Sequence, residues 1–288
     1  MATWRAYAKI NLCLEVLGRR RDGYHEVLTI LQTVDLYDTL AFEPADDLTL
    51  TCSDRRLEGE GNLVLRAARL LQRAAGVDRG ATIHLEKRIP TAAGLGGGSS
   101  DAAVTLLALS SLWGLRMTRS NLENLATALG ADVPFFLYGG TALAEGRGDR
   151  LSPLPALAEH WVVLVCPPLE IPDKTSLMYA SLTPREYTSG AVTRHMARAI
   201  QEGQEIRPGL IFNTFEWVAF RNFELLEATR QRVVEAGADH VRLCGAGPAL
   251  YALYREETPA RALYERLCSE GLDVLLVRTV EGKPAPLP

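Results

Sequence analysis

Residues 88–103 read Arg88-Ile89-Pro90-Thr91-Ala92-Ala93-Gly94-Leu95-Gly96-Gly97-Gly98-Ser99-Ser100-Asp101-Ala102-Ala103. A strand-like run, residues 81–89, leads into four glycines in five positions, and a helix-forming run, residues 101–113, follows. Glycines at such a turn let backbone N–H groups approach a ligand, and a helix N-terminus adds partial positive charge. Ser99, Ser100 and Asp101 are good N-cap residues. We call residues 90–100 the glycine loop and predict that it binds a polyanion such as a nucleotide phosphate. A turn that only permits tight packing is the alternative.

The better-known glycine-rich motifs do not match this loop. It has no Gly-Lys-Ser/Thr ending, which excludes a Walker A loop. The dinucleotide fingerprint requires glycine where Ser99 stands, and it opens a series of βαβ units. A dinucleotide-binding oxidoreductase is therefore the least favoured function.

Composition and charge narrow the functional classes. The chain has 288 residues, enough for one large or two ordinary domains, and its hydrophobic fraction of 47% is that of a globular protein. With 31 Lys+Arg against 35 Asp+Glu, the net charge of −4 gives no field that attracts nucleic acid or an anionic membrane. Five widely spaced cysteines without a C-x-x-C pair indicate reduced thiols. No secretory signal or apolar span is present, so we expect a cytoplasmic protein. Its oligomeric state, monomer or weak dimer, is left open.

Apolar periodicity in the first half predicts strands and helices that do not alternate strictly. Residues 10–16 have the period of a strand that carries Lys9 and Asn11 on one face. A helix at residues 120–129 begins with a capping box from Ser120 to Glu123. The other predicted elements are a hairpin turn at 21–23, strands at 24–36, 39–42, 48–52 and 141–144, and a helix at 62–75. This order favours an α+β fold over a doubly wound sheet.

Two prolines, Pro153 and Pro155, mark the best domain boundary, which divides the chain into residues 1–156 and 157–288. The second half is predicted to contain strands at 161–166 and 274–279, helices at 175–181, 190–201, 215–236 and 259–269, and two strands around Gly245-Ala246-Gly247-Pro248. We call residues 245–248 the second glycine turn. Taken alone, it indicates a tight turn between buried strands.

Three segments together resemble the GHMP kinases, a family of small-molecule kinases. The glycine loop is similar to the family's P-x-x-x-G-L-G-S-S-A phosphate loop, residues 6–12 to its first motif and residues 243–248 to its third. The resemblance runs from end to end. It implies a two-domain α+β architecture, with a ribosomal protein S5 domain 2-like N-terminal domain and a ferredoxin-like C-terminal domain. Cys244 and Ala246 depart from the serines usual in the third motif.

The resemblance also assigns chemical roles. Asp132 is implied as the base that accepts the proton of the attacking hydroxyl, and Lys9 as the cation beside it. ATP and Mg²⁺ are the implied cofactors, with Ser99 or Ser100 as a magnesium ligand. The implied ATP-binding residues are Pro90, Ala93, Gly94, Leu95, Gly96, Gly97, Gly98, Ser99 and Ser100. Read without the resemblance, Asp132 caps a turn and Lys9 lies on a solvated strand face.

The element Gly18-Arg19-Arg20-Arg21-Asp22-Gly23-Tyr24-His25-Glu26 narrows the resemblance to one branch. That branch implies ATP-dependent phosphorylation of the 2-hydroxyl of 4-diphosphocytidyl-2-C-methyl-D-erythritol, in the non-mevalonate route to isopentenyl diphosphate. Thr175 and Tyr179 share a helix face, and an aromatic ring stacks on a pyrimidine. The implied substrate-binding residues are Asn11, Tyr24, His25, Thr175 and Tyr179. A mevalonate- or homoserine-type kinase, or a catalytically silent nucleotide sensor on this fold, is the alternative.

Overall fold

A long antiparallel hairpin organises the first half of the chain. We describe residues 2–287 in a computed structural model, in which β1 (Ala2–Arg19) pairs with β2 (His25–Ala45) along its whole length. The turn falls at the predicted place. The predicted strands at 24–36 and 39–42 are one strand, because an irregularity opposite Tyr7 and Ala8 shifts the register without ending the pairing.

The hairpin forms the middle of a seven-stranded sheet. Its order is β3-β4-β2-β1-β8, with β5 also pairing with β2 and β6 pairing with β5. The added strands are β3 (Leu48–Cys52), β4 (Gly80–Glu86), β5 (Thr141–Gly146), β6 (Arg150–Leu154) and, from the second half, β8 (Phe212–Asn213). Sequence analysis did not predict β6, since it contains Pro153. Proline is tolerated there because β6 lies at the edge of the sheet.

Three helices cover this sheet: α1 (Leu63–Ala75), α2 (Gly97–Leu112) and α3 (Arg119–Leu129). Helix α2 begins four residues earlier than predicted, with Gly96 as its N-cap in the left-handed region at φ 76°. The prediction that Ser99, Ser100 or Asp101 caps this helix is therefore wrong. The predicted capping box at Ser120 is also wrong, because the Thr118 side chain accepts from the Asn121 N–H and caps α3 two residues before Ser120.

A second sheet in the other half has the antiparallel order β11-β7-β10-β9. Its strands are β7 (Trp161–Val165), β9 (Arg242–Leu243), β10 (Leu250–Tyr254) and β11 (Val274–Arg278). With helices between β7 and β9 and between β10 and β11, this is the ferredoxin-like arrangement. Those before β9 are α4 (Lys174–Ala180), α5 (Ala191–Gln201), α6 (Glu216–Asn222) and α7 (Glu224–Glu235), and α8 (Glu257–Ser269) precedes β11.

The predicted helix at 215–236 is wrong as a single element. Phe223 adopts φ −126° and ψ 94°, an extended conformation that ends α6 and starts α7. Its aromatic side chain packs against the buried core of the second half. The period-3.6 pattern survives across one extended residue, which is why the sequence did not indicate the break.

The two halves share a core. Ile10 from the first sheet and Leu164 and Tyr251 from the second lie in one buried apolar cluster. Strand β8 pairs with β1 in parallel, so a short segment of the second half extends the first sheet. The mixed architecture confirms the predicted α+β, two-domain class. The exact division into residues 1–156 and 157–288 stays a prediction. Within residues 2–287, no helix is long and apolar enough to cross a membrane.

Candidate active site

The glycine loop connects β4 to α2 and exposes unpaired backbone donors. Among the described residues, none of the N–H groups of residues 92–96 donates to a backbone or side-chain acceptor. Gly94 has φ 87°, and a Cβ there would lie 2.1 Å from the carbonyl oxygen of Cys244. Side chains are thus excluded where the loop folds back. Free N–H groups beside a helix N-terminus form a concavity suited to phosphate oxygens.

The second glycine turn lies directly against the loop. The Ala249 N–H donates to the Ala93 carbonyl at 3.1 Å, and Gly247 N–H closes the turn onto the Cys244 carbonyl at 2.7 Å. The turn does join two strands, β9 and β10, as the simple interpretation states. It also packs against the glycine loop, to which it is joined by the Ala249–Ala93 hydrogen bond. Cys244 is fully buried, so a cysteine in place of the usual serine removes no exposed hydroxyl from the surface of the loop.

Lys9 and Asp132 come together at the edge of the loop. The Lys9 N–H donates to the Leu95 carbonyl at 2.9 Å, and Lys9 Nζ lies 3.8 Å from Asp132 Oδ2. Lys9 is only 3% exposed, which rules out the solvated strand face. The Asp132 side chain is 44% exposed and precedes the 3-10 helix Val133–Leu137 without bonding to its N–H groups. Asp132 thus stands at the N-cap position without a side-chain capping bond, and it lines the cavity described below.

Asn11 lies beneath this pair. Its amide oxygen accepts from Lys9 Nζ at 2.7 Å, and its amide nitrogen donates to Thr29 Oγ1 at 2.8 Å. The residue is 4% exposed. The structure thus confirms that Lys9 and Asn11 share a strand face, but it does not bring Asn11 to the open cavity. Contact between Asn11 and substrate stays a prediction.

A cavity of about 1080 Å³ opens beside Asp132. Residues from both halves of the chain line this cavity. Six of the residues singled out in the sequence line it: Tyr24, His25, Ser99, Asp132, Thr175 and Tyr179. Ser100, in contrast, is buried at 1% exposure. The cavity volume lies at the upper end of the usual range for ligand sites.

Aromatic side chains form one wall of the cavity. The rings of His25 and Tyr179 stack at 4.8 Å with an interplanar angle of 18°, and Tyr179 meets the edge of Phe215 at 4.9 Å. Burial, with help from the positive charge of Arg19, lowers the pKa of His25. A neutral imidazole has one donor and one acceptor nitrogen, which suits the hydrogen-bonding edge of a pyrimidine.

Sequence reasoning missed four residues around the cavity. Arg19, Arg147 and Tyr187 line it, and the Arg147 guanidinium lies 4.8 Å from the ring centroid of Tyr24. Lys174 reaches the back of the glycine loop. Two of them had a signal in the sequence: Arg147 lies between two glycines in a turn of arginine, glycine and aspartate, and Arg19 belongs to the element that narrows the resemblance. Lys174 and Tyr187 had none, because only the packing of the two halves brings them to this region.

A second group of charges lies behind the loop and is closed to solvent. Lys87 Nζ bonds to Asp38 and, at 2.9 Å, to Asp101 Oδ2 on α2. Asp38 Oδ1 accepts from the N–H groups of Arg88 and Ile89 at 2.6 and 2.9 Å, at the entrance of the loop. Burial raises the pKa of Asp101 to about 8, against the lowering effect of Lys87. This group positions the loop and does not face the cavity.

The cavity supplies few ligands for a metal ion. Within residues 2–287, no cluster of three or more His, Cys, Asp or Glu side chains is arranged to hold one. Asp132 and the Ser99 hydroxyl are among the oxygen groups that line the cavity. That set fits Mg²⁺, which is commonly held by one or two protein oxygens together with substrate phosphates and water.

The family models described as "GHMP kinases N terminal domain" and "GHMP kinases C terminal" match residues 62–140 and 195–273. The chain is 41% identical to the 4-diphosphocytidyl-2-C-methyl-D-erythritol kinase of Dehalococcoides mccartyi, over 97% of this chain and 99% of the relative. It is 40% identical to the enzyme of that name from Gloeobacter violaceus, over 96% and 94% of the two chains.

Solved structures agree with these relatives. A crystal structure of 4-(cytidine 5'-diphospho)-2C-methyl-D-erythritol kinase matches with a TM-score of 0.82 and 39% identity, over 96% of this chain and 98% of the other. A homoserine kinase from Cytophaga hutchinsonii matches with a TM-score of 0.75 but 17% identity, over 100% and 97% of the chains, and shows the shared fold alone. The chain therefore belongs to the GHMP kinases and, within them, to the 4-diphosphocytidyl-2-C-methyl-D-erythritol kinase family.

Proposed function

We propose that this chain transfers the γ-phosphoryl group of ATP to the 2-hydroxyl of 4-diphosphocytidyl-2-C-methyl-D-erythritol. The products are ADP and the 2-phosphate ester, an intermediate of the non-mevalonate route to isopentenyl diphosphate. The observation that carries the proposal is the position of the Lys9–Asp132 pair. Lys9 Nζ and Asp132 Oδ2 lie 3.8 Å apart, and the pair stands between a loop with free N–H groups and a cavity with an aromatic wall.

The reaction requires an in-line displacement at phosphorus. The substrate oxygen forms a bond to the γ-phosphorus while the bond to the β–γ bridging oxygen breaks, and ADP leaves. Asp132 accepts the hydroxyl proton, and Lys9 offsets the negative charge that develops on the transferring group. The free N–H groups of residues 92–96 bind the phosphate oxygens. Because such transition states are loose, orientation matters more than the basicity of Asp132.

Substrate recognition falls to the aromatic wall. We infer that the cytosine ring binds against Tyr179 and Tyr24 and that the neutral His25 bonds to its edge. Arg19 and Arg147 line the same cavity and offer positive charge to the diphosphate. Thr175 lies one turn from Tyr179 on α4, with its hydroxyl at the same wall.

Magnesium ion enters the proposal with ATP. We infer that Ser99 is its protein ligand rather than Ser100, since Ser99 lines the cavity and Ser100 is buried. Bound there, Mg²⁺ would neutralise phosphate charge and fix the geometry of the triphosphate. The residues of this chain then orient the hydroxyl and remove its proton.

The proposal extends to the cellular compartment and the domain division of the chain. The five cysteines are unpaired, and Cys268 is exposed, which suits a reducing compartment such as the cytoplasm. We further propose domains at residues 1–156 and 157–288, with the small-molecule substrate and ATP as the partners. Monomer and weak dimer remain alternatives for the oligomeric state.

The direct test is ADP release by the purified chain with ATP, Mg²⁺ and one alcohol at a time. The alcohols are 4-diphosphocytidyl-2-C-methyl-D-erythritol, mevalonate and homoserine. We expect turnover with the cytidyl substrate and background rates with the other two, because only the first fills an aromatic, arginine-lined cavity. Turnover of mevalonate or homoserine with none of the cytidyl compound would falsify the proposal. Nucleotide binding without turnover of any alcohol would indicate the sensor.

A further inference from the structure

Lys174 joins three segments that the reaction must bring together. It is the first residue of α4, the helix that carries Thr175 and Tyr179 to the cavity. Its Nζ donates to the backbone carbonyl of Ala92 in the glycine loop and to that of Gly247 in the second glycine turn. One side chain thus connects the substrate-side helix with both glycine segments.

The two carbonyls belong to residues in the left-handed region. Ala92 has φ 54° and Gly247 has φ 78°. For alanine this conformation costs free energy, so neighbouring contacts must maintain it. Lys174 supplies such a contact on the carbonyl side of Ala92, while the N–H groups that follow point away from any protein acceptor. Loss of this bond would leave the loop free to relax toward a conformation with fewer N–H groups directed at the phosphates.

We propose that Lys174 is a positioning residue that couples substrate binding on α4 to ATP binding at the glycine loop. The inference rests on the proposed function for the identity of the two ligands. When the cytidyl substrate orders α4, the Lys174 ammonium is fixed against Ala92 and Gly247, and the loop is ordered with it. ATP then binds to a loop whose ordering cost has already been met. By reciprocity, ATP tightens the substrate by the same factor.

Groups of both charge signs lie around the Lys174 ammonium. Lys9 of β1 repels it and Asp132 attracts it, while the Cys244 thiol also faces it and Asp173 precedes it on its own segment. Burial is the largest influence and, together with Lys9, lowers the pKa of Lys174 to about 8. Burial keeps the Cys244 thiol protonated there, since it raises the pKa of that group far above its usual range. Deprotonation of Lys174 at mildly alkaline pH therefore weakens the hydrogen bonds from its Nζ to the carbonyls of Ala92 and Gly247.

The test measures binding without turnover. Calorimetry gives the Kd of the β,γ-imido analogue of ATP, alone and with saturating cytidyl substrate, at pH 7 and pH 9. We expect the substrate to tighten the analogue about tenfold at pH 7 in the wild-type chain. Lys174→Met should bring that factor close to one and weaken the analogue when it binds alone. Lys283→Met is the matched control, because Lys283 is exposed and pairs only with Glu281 among the described residues.

Lys174→Arg keeps a positive charge at this position and so distinguishes the effect of the charge from a general effect of substitution on folding. A guanidinium stays charged up to about pH 12, so this variant should retain coupling at pH 9, where the wild-type chain loses part of it. Coupling in Lys174→Met equal to wild type overturns the proposal, and so does Lys174→Arg that loses coupling at pH 9 as the wild type does. A wild-type chain that releases no ADP from the cytidyl substrate would contradict the proposed function instead. Analogue binding alone still reports on Lys174 in that case.

Discussion

Two lysine–aspartate sites flank the glycine loop and differ in how tightly they are closed. Lys9 donates its N–H to the Leu95 carbonyl of the loop, and its Nζ lies 3.8 Å from Oδ2 of Asp132, whose side chain is 44% exposed. Lys87 lies close to Gly97, where an added Cβ would be 3.2 Å from its Nζ, and it bonds to Asp38 and Asp101, whose side chains are 0% and 3% exposed. The first site leaves a carboxylate free for a ligand. The second uses its carboxylates within the protein.

The comparison shows that the glycine loop is flanked by a buried charge cluster on one side and a solvent-open ion pair on the other. Buried ion pairs are geometrically fixed, because an unpaired buried charge is costly, and so they suit the positioning of the loop entrance. An open pair is weak as a stabilising contact and can exchange partners with substrate. We therefore expect substitutions at the two sites to separate loss of activity from loss of stability.

Asp132→Asn should have the largest effect on catalysis. The amide cannot accept the hydroxyl proton, so we expect kcat to fall by about 10³-fold or more while ATP still binds. Steady-state ADP release and analogue binding measure the two quantities. Stability should change little, because the side chain is half exposed. Asp78→Asn, an exposed residue away from the cavity, is the control. Near-normal turnover in Asp132→Asn would remove this residue from the mechanism.

Asp38→Ala should have the largest effect on stability. It removes the acceptor of the Arg88 and Ile89 N–H groups and leaves Lys87 with one carboxylate partner. We expect the free energy of unfolding to fall by about 3–5 kcal/mol, as for other broken buried pairs. Urea denaturation measures it. A loss below about 1 kcal/mol, the size typical of a surface pair, would show that the closed site is not structurally important.

Asp101 gives the closed site a dependence on pH. Burial raises its pKa from an ordinary value of 3.8 to about 8, so the folded chain holds a proton that the unfolded chain releases. Its contribution to stability is full below pH 3.8 and is lost as the pH rises through about 8. We expect the free energy of unfolding to fall by up to about 1.4 kcal/mol per pH unit between those values.

Asp101→Asn removes this titration while keeping the shape of the side chain. Its unfolding free energy, measured by urea denaturation from pH 5 to pH 9, should be flatter with pH than that of the wild-type chain. Asp78→Asn again serves as the control, since an exposed aspartate has no such buried partner. Equal slopes for Asp101→Asn and wild type would show that Asp101 is ionised throughout and that the closed site carries both charges.

Asn11→Ala should have the smallest effect and the most diagnostic one. If Asn11 acts by orienting Lys9, kcat falls about tenfold, by roughly the value of one hydrogen bond to a charged group, and KM for the cytidyl substrate is unchanged. If Asn11 contacts substrate, as the family resemblance implies, KM rises instead. Initial rates over a range of substrate concentration distinguish the two results. A change in neither would leave the open site independent of Asn11.

Motifs that lie on contiguous chain were predictable. The glycine loop, the hairpin turn before Tyr24 and the strand face shared by Lys9 and Asn11 follow from local rules of glycine conformation and period-2 alternation. Errors arose where one residue changed the outcome. Gly96 caps α2 in place of the serines, and Phe223 divides a helix whose apolar pattern continues across it. Such choices depend on tertiary packing around the residue.

Long-range proximity was harder to predict. Lys87, Asp38 and Asp101 come from three elements, and neither their spacing nor their types identify them as a cluster. Lys174 stands beside the predicted Thr175, yet only the approach of α4 to the loop reveals its contacts. Arg147 and Tyr187 reach the cavity from separate segments for the same reason.

The sequence by itself predicted the chemical parts: a glycine loop for phosphate, a lysine and an aspartate for phosphoryl transfer, and aromatic residues for a base. Residue type and local spacing are enough for the glycine loop, since it depends on backbone conformational freedom, whereas the roles of the lysine, the aspartate and the aromatic residues followed from the resemblance to the GHMP kinases. The tertiary structure decided which charges are open and which are closed. That distinction depends on desolvation and on contacts between distant segments, and it sets Asp132 apart from Asp38 and Asp101.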